Sequence, residues 1–152
     1  MKKVLWVATL ASFMGMVLAE ETARPAEIAR VKVMQGEVRL ERQGAFQPVM
    51  VGMGLLGGDK LHTGTHSSVG ITYIDNTLVS AGAKSVVVLD RCRFNSTTHE
   101  GSLLLSLVKG SLAVISGKIA KANRDGMQVN IPAATLGIRG TEFFVRTEGS
   151  DE

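Results

Sequence analysis

Short apolar runs separated by turn residues recur along most of the chain, at a spacing of about eight to twelve residues. Residues 37–42 alternate charged and apolar side chains, which is typical of a strand with one buried face. Residues 69–74 alternate in the same way, with Val69, Ile71 and Tyr73 on one face. The pattern therefore predicts an all-β fold, a single compact domain of short antiparallel strands in a β-sandwich or roll.

Turn residues between the first runs predict a hairpin followed by an edge strand. Residues 28–33 and 37–42 flank the turn at residues 35–36, so we expect these two runs to pair with each other. Residues 46–51 contain Pro48, which has no amide proton for a central ladder. We therefore expect this segment at the edge of a sheet.

A second hairpin is predicted around Asp75 and Asn76, which separate residues 69–74 from residues 77–79. Because Asn tolerates a left-handed backbone, we expect a two-residue turn at this point.

The middle of the chain holds longer apolar runs. Residues 85–90 contain four consecutive apolar residues, mostly β-branched, which indicates a strand covered on both faces, and residues 91–100 are polar enough for a connecting loop. Residues 102–108 are rich in leucine, so a helix ending at Gly110 is one alternative. Because this run is short and residues 111–115 have strand character, we favour two strands around a turn at Gly110.

The run at residues 131–143 combines one Pro and two Gly with apolar residues. Pro132 disfavours a central ladder position, and Gly137 and Gly140 allow positive φ or the close approach of another segment. We interpret the run as a strand entrance, a sharp turn and a final strand that begins near Phe143.

Arg139 and Glu142 are the polar residues of this run that invite a specific role. An ion pair between them, or hydrogen bonds from Arg139 to backbone carbonyls, is expected to fix the turn. The alternative is an arginine that faces a partner beside a Phe-rich strand.

The N-terminus has the features of a secretory signal peptide. Lys2 and Lys3 precede a short apolar run, and small residues follow near Ala19. An uncleaved anchor is the alternative, but the run is short for a membrane span and no later stretch is long enough for one. We expect a signal peptide at residues 1–19 that is removed before Glu20.

The remaining chain divides into a flexible lead-in at residues 20–30, a β-domain at residues 31–147 and an acidic tail at residues 148–152. Without Lys2 and Lys3, the 17 basic and 14 acidic residues become 15 and 14, a net charge of about +1. No basic stretch is interleaved with aromatic residues, so we expect no nucleic-acid partner.

Cys92 is the single cysteine, so the chain cannot form an internal disulfide. Arg91 and Arg93 flank it and are expected to be able to lower its pKa. An incidental thiol is the simpler interpretation, and a reactive or intermolecular thiol is the alternative.

The remaining candidate sites lack the partners that their chemistry needs. The glycine-rich residues 52–59 are followed by neither Gly-Lys-Ser/Thr nor a helix, so we expect a tight turn at Gly58 whose Asp59 side chain caps local amides, not a phosphate site. His62 and His66 have no neighbouring Cys or second acidic ligand, so no metal or other cofactor is expected. Gly-x-Ser-x-Gly is absent, and we expect no catalytic residues and no enzyme.

Residues 132–143 have the pattern Pro-x-Ala-x-x-Gly-Ile-Arg-Gly-Thr-Glu-Phe, which resembles the closing signature of the FecR domain, a bacterial envelope module. The resemblance extends over about residues 33–145. It includes Gly36-Glu37-Val38, Val51-Gly52-Met53-x-Leu55, Gly58-Asp59, Thr63-Gly64, Tyr73-x-Asp75-x-Thr77, Lys109-Gly110 and Ser116-Gly117-Lys118.

FecR-type regulators combine a cytoplasmic segment that binds a sigma factor, one span and an exported region that contacts an outer-membrane receptor. In this chain we expect the exported β-domain alone. An exported β-domain without an assembled catalytic set indicates a non-catalytic periplasmic binding or scaffold module that contacts an envelope protein or a cell-wall partner. The alternative is an accessory in FecR-type transmembrane signalling. The candidate structural or partner-contact residues are Gly58, Asp59, Gly137, Arg139, Gly140, Thr141, Glu142 and Phe143.

Overall fold

The computed structural model describes residues 24–149, so the predicted signal peptide and the end of the acidic tail lie outside the described residues. Strands dominate the described part, which confirms the all-β prediction, and none of its helices is long and apolar enough to span a membrane. The elements are β1 (Glu27–Gln35), β2 (Val38–Arg42), β3 (Ala45–Pro48), β4 (Gly54–Leu56), β5 (Asp59–Thr63), β6 (Ser68–Tyr73), β7 (Leu78–Ala81), β8 (Val86–Phe94), β9 (Gly101–Ile115), α1 (Lys118–Ala122), β10 (Met127–Ile131), β11 (Ala134–Gly137) and β12 (Glu142–Thr147).

The strands form one curled sheet in the order β3-β2-β5-β8-β9-β7-β6-β1-β4. The long central strand β9 runs through both halves of this sheet. Its first part pairs with β8 and β10, and its last part pairs with β7 and β12. We call β4, β1, β6, β7, the last part of β9 and β12 the A half. The B half consists of β3, β2, β5, β8, the first part of β9, β10 and β11.

The core lies between the inner faces of the two halves. In the A half, Val31, Ile71, Val79 and Val114 lie opposite one another on successive strands, and all four are buried. The B half contributes leucines at alternate positions of β9, such as Leu105, to the same core. The period-2 alternation of the sequence therefore sorts each strand into an inner apolar face and an outer face.

The strand β9 is continuous, so the predicted turn at Gly110 and the alternative of a helix are both wrong. Gly110 has φ +97°, and a side chain there would overlap Ser85. The glycine thus bends the strand from one half into the other without reversing it.

The predicted hairpin between residues 28–33 and 37–42 is also wrong. β1 pairs with β4 and β6, whereas β2 pairs with β3 and β5. The physical reason lies at Gly36, whose φ of +73° redirects the chain from the A half to the B half. β1 also begins at Glu27, inside the predicted lead-in, because Ile28 is buried in the core. Pro48 does lie in an edge strand, β3, as expected.

The hairpin of β6 and β7 is confirmed, although three residues, 74–76, and not two lie between the hydrogen-bonded residues Tyr73 and Thr77. The Tyr73 amide donates to the Thr77 carbonyl at 2.9 Å, and Asn76 takes the left-handed conformation at φ +68°. β8 extends to Phe94, so the predicted loop at residues 91–100 is shorter than expected, and Val88 on the outer face is only half-buried.

The chain between β9 and β12 is more structured than the sequence indicates. α1 connects β9 to β10 and buries Ile119, and β10 pairs with β9 in parallel. The sequence predicts no helix here because α1 is too short to show a period. β11 then pairs with β10 across a turn at Pro132. The final strand predicted near Phe143 is confirmed as β12.

Candidate binding surface

The Gly58-Asp59 corner joins three strands through one buried carboxylate. Asp59 is 1% exposed, and its Oδ2 accepts a hydrogen bond from the Leu56 amide at 2.7 Å. Arg42 donates to the same carboxylate through Nε at 2.8 Å and Nη2 at 2.7 Å, and this contact raises the pKa of Arg42. Gly58 provides the left-handed turn at φ +90°. The amide capping predicted for Asp59 is confirmed, and Arg42 is the partner that the sequence did not identify.

A second buried carboxylate ties α1 to the β6–β7 hairpin. Asp75 is fully buried and accepts hydrogen bonds from the Thr77 amide at 3.1 Å, the Thr77 hydroxyl at 2.8 Å and the Ile119 amide at 3.2 Å. Gly117 approaches so closely that any side chain there would overlap the Asp75 carbonyl. Asp75 therefore has a structural role that its sequence position, a simple turn, does not indicate.

Neither the ion pair nor the backbone hydrogen bonds predicted for the Arg139 side chain are found among the described residues. Arg139 Nη2 lies 3.5 Å from Asp125 Oδ1, and the two side chains are 70% and 79% exposed. The structure shows no ion pair between Arg139 and Glu142 among the described residues. Gly137 and Gly140 have neither positive φ nor a crowded environment, so the close approach predicted for them is wrong as well.

Backbone and apolar contacts hold the closing run instead. The Ser116 hydroxyl donates to the Gly140 carbonyl at 2.9 Å, and the Ser116 amide donates to the Thr141 carbonyl at 2.7 Å. Ile138 is buried, and Phe143 packs against the core from the inner face of β12. The polar groups of Arg139 and Glu142 are consequently free to face solvent.

The histidines do not form a metal site with their neighbours. His62 Nε2 lies 2.8 Å from Glu41 Oε2, and this hydrogen bond lowers the pKa of Glu41. His66 lies in a turn at φ +56°. Residues 24–149 contain no group of three or more His, Cys, Asp and Glu side chains that is placed to hold a metal ion.

Two titratable side chains are buried where they cannot readily ionise. Burial raises the pKa of the Cys92 thiol to about 12, so the predicted lowering by Arg91 and Arg93 is wrong. Burial likewise raises the pKa of Tyr73, whose hydroxyl has no hydrogen-bond partner among the described residues. Neither group is poised as a nucleophile or a base at neutral pH.

The outer face of the A half is uncharged at its centre and includes several exposed apolar side chains. Leu78 and Ile115 lie opposite each other on β7 and β9, and each is 44% exposed. Phe144 on β12 and Val33 on β1 add exposed apolar surface on the same face. The strands β6, β7 and the last part of β9 form the centre of this face. They present only uncharged side chains or glycine there: Ser68, Gly70, Thr72, Leu78, Ser80, Ser111, Ala113 and Ile115.

The outer face of the B half is charged. Glu41 lies between Lys60 and His62, within 3.7 Å and 2.8 Å of their nitrogen atoms. Phe46 is an apolar residue here that is 55% exposed, and the Arg39 guanidinium lies 5.5 Å and the His62 ring 5.3 Å from its ring. The centre of the outer face of the B half therefore contains paired charges, whereas the centre of the outer face of the A half contains none.

Comparison with known proteins adds one match. The protein-family model described as FecR protein matches residues 59–151, which is more than half of the 152 residues. None of the curated proteins and none of the solved structures that were compared matches the chain. The matched range contains Asp59, the Asp75 corner and the whole closing run. The chain belongs to the FecR family.

Proposed function

We propose that the protein is a non-catalytic binding module of the bacterial envelope, and that it contacts an envelope protein through the outer face of the A half. Membership of the FecR family points to a role in FecR-type signalling. In this proposal the exported β-domain acts by holding a partner, and the signal is carried by that contact.

The observation that carries the proposal is the uncharged centre of this face with its exposed Leu78–Ile115 pair. Exposed residues such as Leu78 and Ile115 lie on adjacent strands rather than scattered over the surface. Contiguous exposed apolar patches on soluble proteins mark interaction sites. Charged side chains border the patch, with Arg30 on β1 and Arg146 on β12. An apolar centre inside a charged rim is the usual anatomy of a protein–protein interface.

The chemistry of the face favours a protein partner with an apolar surface. Its centre contains no charge to neutralise a polyanion, and its polar groups are a few hydroxyls such as those of Thr72 and Ser80. A cell-wall glycan needs many hydrogen-bonding groups, which the charged B half provides better. We therefore place the protein partner on the A half.

The arrangement of reactive side chains supports a role without catalysis. His62 is bonded to Glu41, and Cys92 is buried with a raised pKa. The two most buried carboxylates, Asp59 and Asp75, are saturated with structural hydrogen bonds. His62, Asp59 and Asp75 are thus engaged in hydrogen bonds within the fold, and Cys92 is buried in it.

Two matched substitutions on the same strand test the proposal. Ile115 and Val108 are both on β9 and are 44% and 43% exposed, but Ile115 lies on the outer face of the A half and Val108 does not. We expect Ile115→Asp to reproduce the transcript changes that follow deletion of the gene, because a buried charge disrupts an apolar interface. Val108→Asp should restore the wild-type transcripts at equal protein level. If Ile115→Asp complements as well as Val108→Asp, the proposed contact surface is wrong.

A further inference from the structure

The strand β12 is an edge strand with unusual capacity for pairing. Within the described residues it pairs with β9 alone. The other edges are blunted, since β4 has three residues, β11 has four, and β3 has four with Pro48 among them. Short edges, edge proline and charged side chains are the usual protections against strand pairing. β12 has six residues, including the 64% exposed Phe144, and no proline, and its charged residues, Glu142 and Arg146, are of opposite sign.

The free backbone groups of β12 can be identified from two hydrogen bonds. The Ser116 amide donates to the Thr141 carbonyl, and the Gly82 amide donates to the Ser111 carbonyl, at 2.7 Å and 3.1 Å. Because hydrogen-bonded pairs alternate along antiparallel strands, the even positions of β9 face β12 and the odd positions face β7. The register of β9 with β12 then places the amides and carbonyls of Glu142, Phe144 and Arg146 at the open edge. These three residues present a row of unpaired backbone donors and acceptors.

The charged side chains along β12 are self-complementary when two copies of the strand run antiparallel. Glu142 and Arg146 lie two positions on either side of Phe144, on the same outer face. Both are exposed, and neither forms an ion pair within residues 24–149. In an antiparallel pair centred on Phe144, Glu142 of each copy lies opposite Arg146 of the other. A two-fold axis requires this kind of self-complementary patch.

We propose that two copies of this chain associate through antiparallel pairing of their β12 strands about a two-fold axis at Phe144. Each opposed pair of outward-facing residues exchanges both backbone hydrogen bonds. The Phe144 rings meet at the axis, and Phe143 lies opposite Val145 of the second copy. The two cross-strand ion pairs select this register, since opposite charges directly across a sheet are stabilising and like charges are not.

This association leaves the Leu78–Ile115 surface open in both copies and joins the two A halves into one sheet. It does not rest on the proposed function, but Phe144 and Arg146 lie at the border of the outer face of the A half and so belong to both surfaces. A strand from another protein could use the same edge, but only a second copy has the mirrored order of charges by construction.

Charge reversal tests the proposal on the protein as it is purified from expressing cells. We expect sedimentation equilibrium to show a reversible dimer of the wild type at concentrations up to about 1 mM, a range that includes weak pairs. Glu142→Arg and Arg146→Glu should each raise the dissociation constant about tenfold or more, because each places two like-charged pairs across the axis. The double variant Glu142→Arg/Arg146→Glu should restore dimerisation.

Mixing the two single variants is the decisive experiment. Each is expected to be monomeric alone, yet the mixture should form a heterodimer in which both cross-strand pairs are again oppositely charged. This result also shows that each variant is folded. Glu37→Arg, an exposed reversal in the B half, should leave the dimer unchanged. A monomeric wild type, or a dimer that survives both single reversals, would overturn the proposal.

Discussion

Two arginine–aspartate pairs in this molecule have the same chemistry but differ in burial and in geometry. Arg42 grips Asp59 with two hydrogen bonds of 2.8 and 2.7 Å, and the Asp59 side chain is 2% exposed. Arg139 approaches Asp125 at a single 3.5 Å contact, with both side chains exposed by 70% or more. Exposed pairs typically contribute about 0–1 kcal/mol, whereas removing one partner of a buried pair costs about 3–5 kcal/mol.

The difference separates two of the segments that carry the family resemblance into different roles. Gly58-Asp59 is a structural corner that joins β2, β4 and β5. The closing run ends in an edge strand whose charged side chains face solvent. Charged residues of a conspicuous sequence motif therefore stabilise the fold only where they are buried against each other.

The largest effect is expected at the buried pair. Asp59→Ala should lower the free energy of unfolding by about 3 kcal/mol, because it leaves the Arg42 guanidinium and the Leu56 amide without their acceptor. Urea denaturation followed by circular dichroism measures this loss. Asp59→Asn retains an acceptor for the amide and should cost less. A loss below about 1 kcal/mol for Asp59→Ala would mean that the corner is not structural.

A smaller effect is expected from the buried thiol, which the exposed arginines beside it do not control. The pKa of Cys92 is about 12 in the folded state against 9.0 for the free group, so the folded state keeps a proton that the unfolded state loses. This contribution to stability is fully present below pH 9 and is lost as the pH rises toward 12. At pH 10 the loss is about 1 kcal/mol.

Comparing the wild type with Cys92→Ala measures this contribution. The difference in unfolding free energy between the two proteins should shrink from pH 8 to pH 10, and a thiol reagent should label native Cys92 slowly at pH 8. Rapid labelling of the folded protein would show that the arginines, and not burial, determine its pKa.

The smallest effect is expected at the exposed pair. Arg139→Ala should change the free energy of unfolding by less than about 0.5 kcal/mol, because its contact with Asp125 is long and solvated. Thermal unfolding of Arg139→Ala, Asp125→Ala and the double variant provides the control. If the two side chains do not interact, the effects of the single substitutions add in the double variant. A loss of unfolding free energy comparable to that of Asp59→Ala would show that Arg139 does fix the turn, as the sequence predicts.

The sequence predicts what depends on local alternation and fails where distant segments decide. The strands around residues 37–42 and 69–73 follow from period-2 patterning, and Asp59 capping follows from a glycine-rich turn. The pairing of β1 with β6 and the uninterrupted course of β9 through Gly110 depend on packing against the other half of the sheet. A bend and a turn have the same glycine signal in a single sequence.

The candidate site shows the same limit. Exposure of Leu78 and Ile115 on one face cannot be derived from their positions in sequence, since it depends on the register of β7 against β9. Arg42 and Gly117 likewise become recognisable only when the strands bring them to Asp59 and Asp75. The buried polar corners hold the fold, and the outer face of the A half is the surface that we propose for the partner.

Site-specific photocrosslinking in living cells tests this claim most directly. A benzoylphenylalanine at position 115 lies on the outer face of the A half, and the same probe at position 108 lies on the same strand with equal exposure but outside that face. We predict a discrete covalent adduct with one envelope protein from position 115 and none from position 108. Equal adducts from the two positions, or an adduct from position 108 alone, would contradict the account.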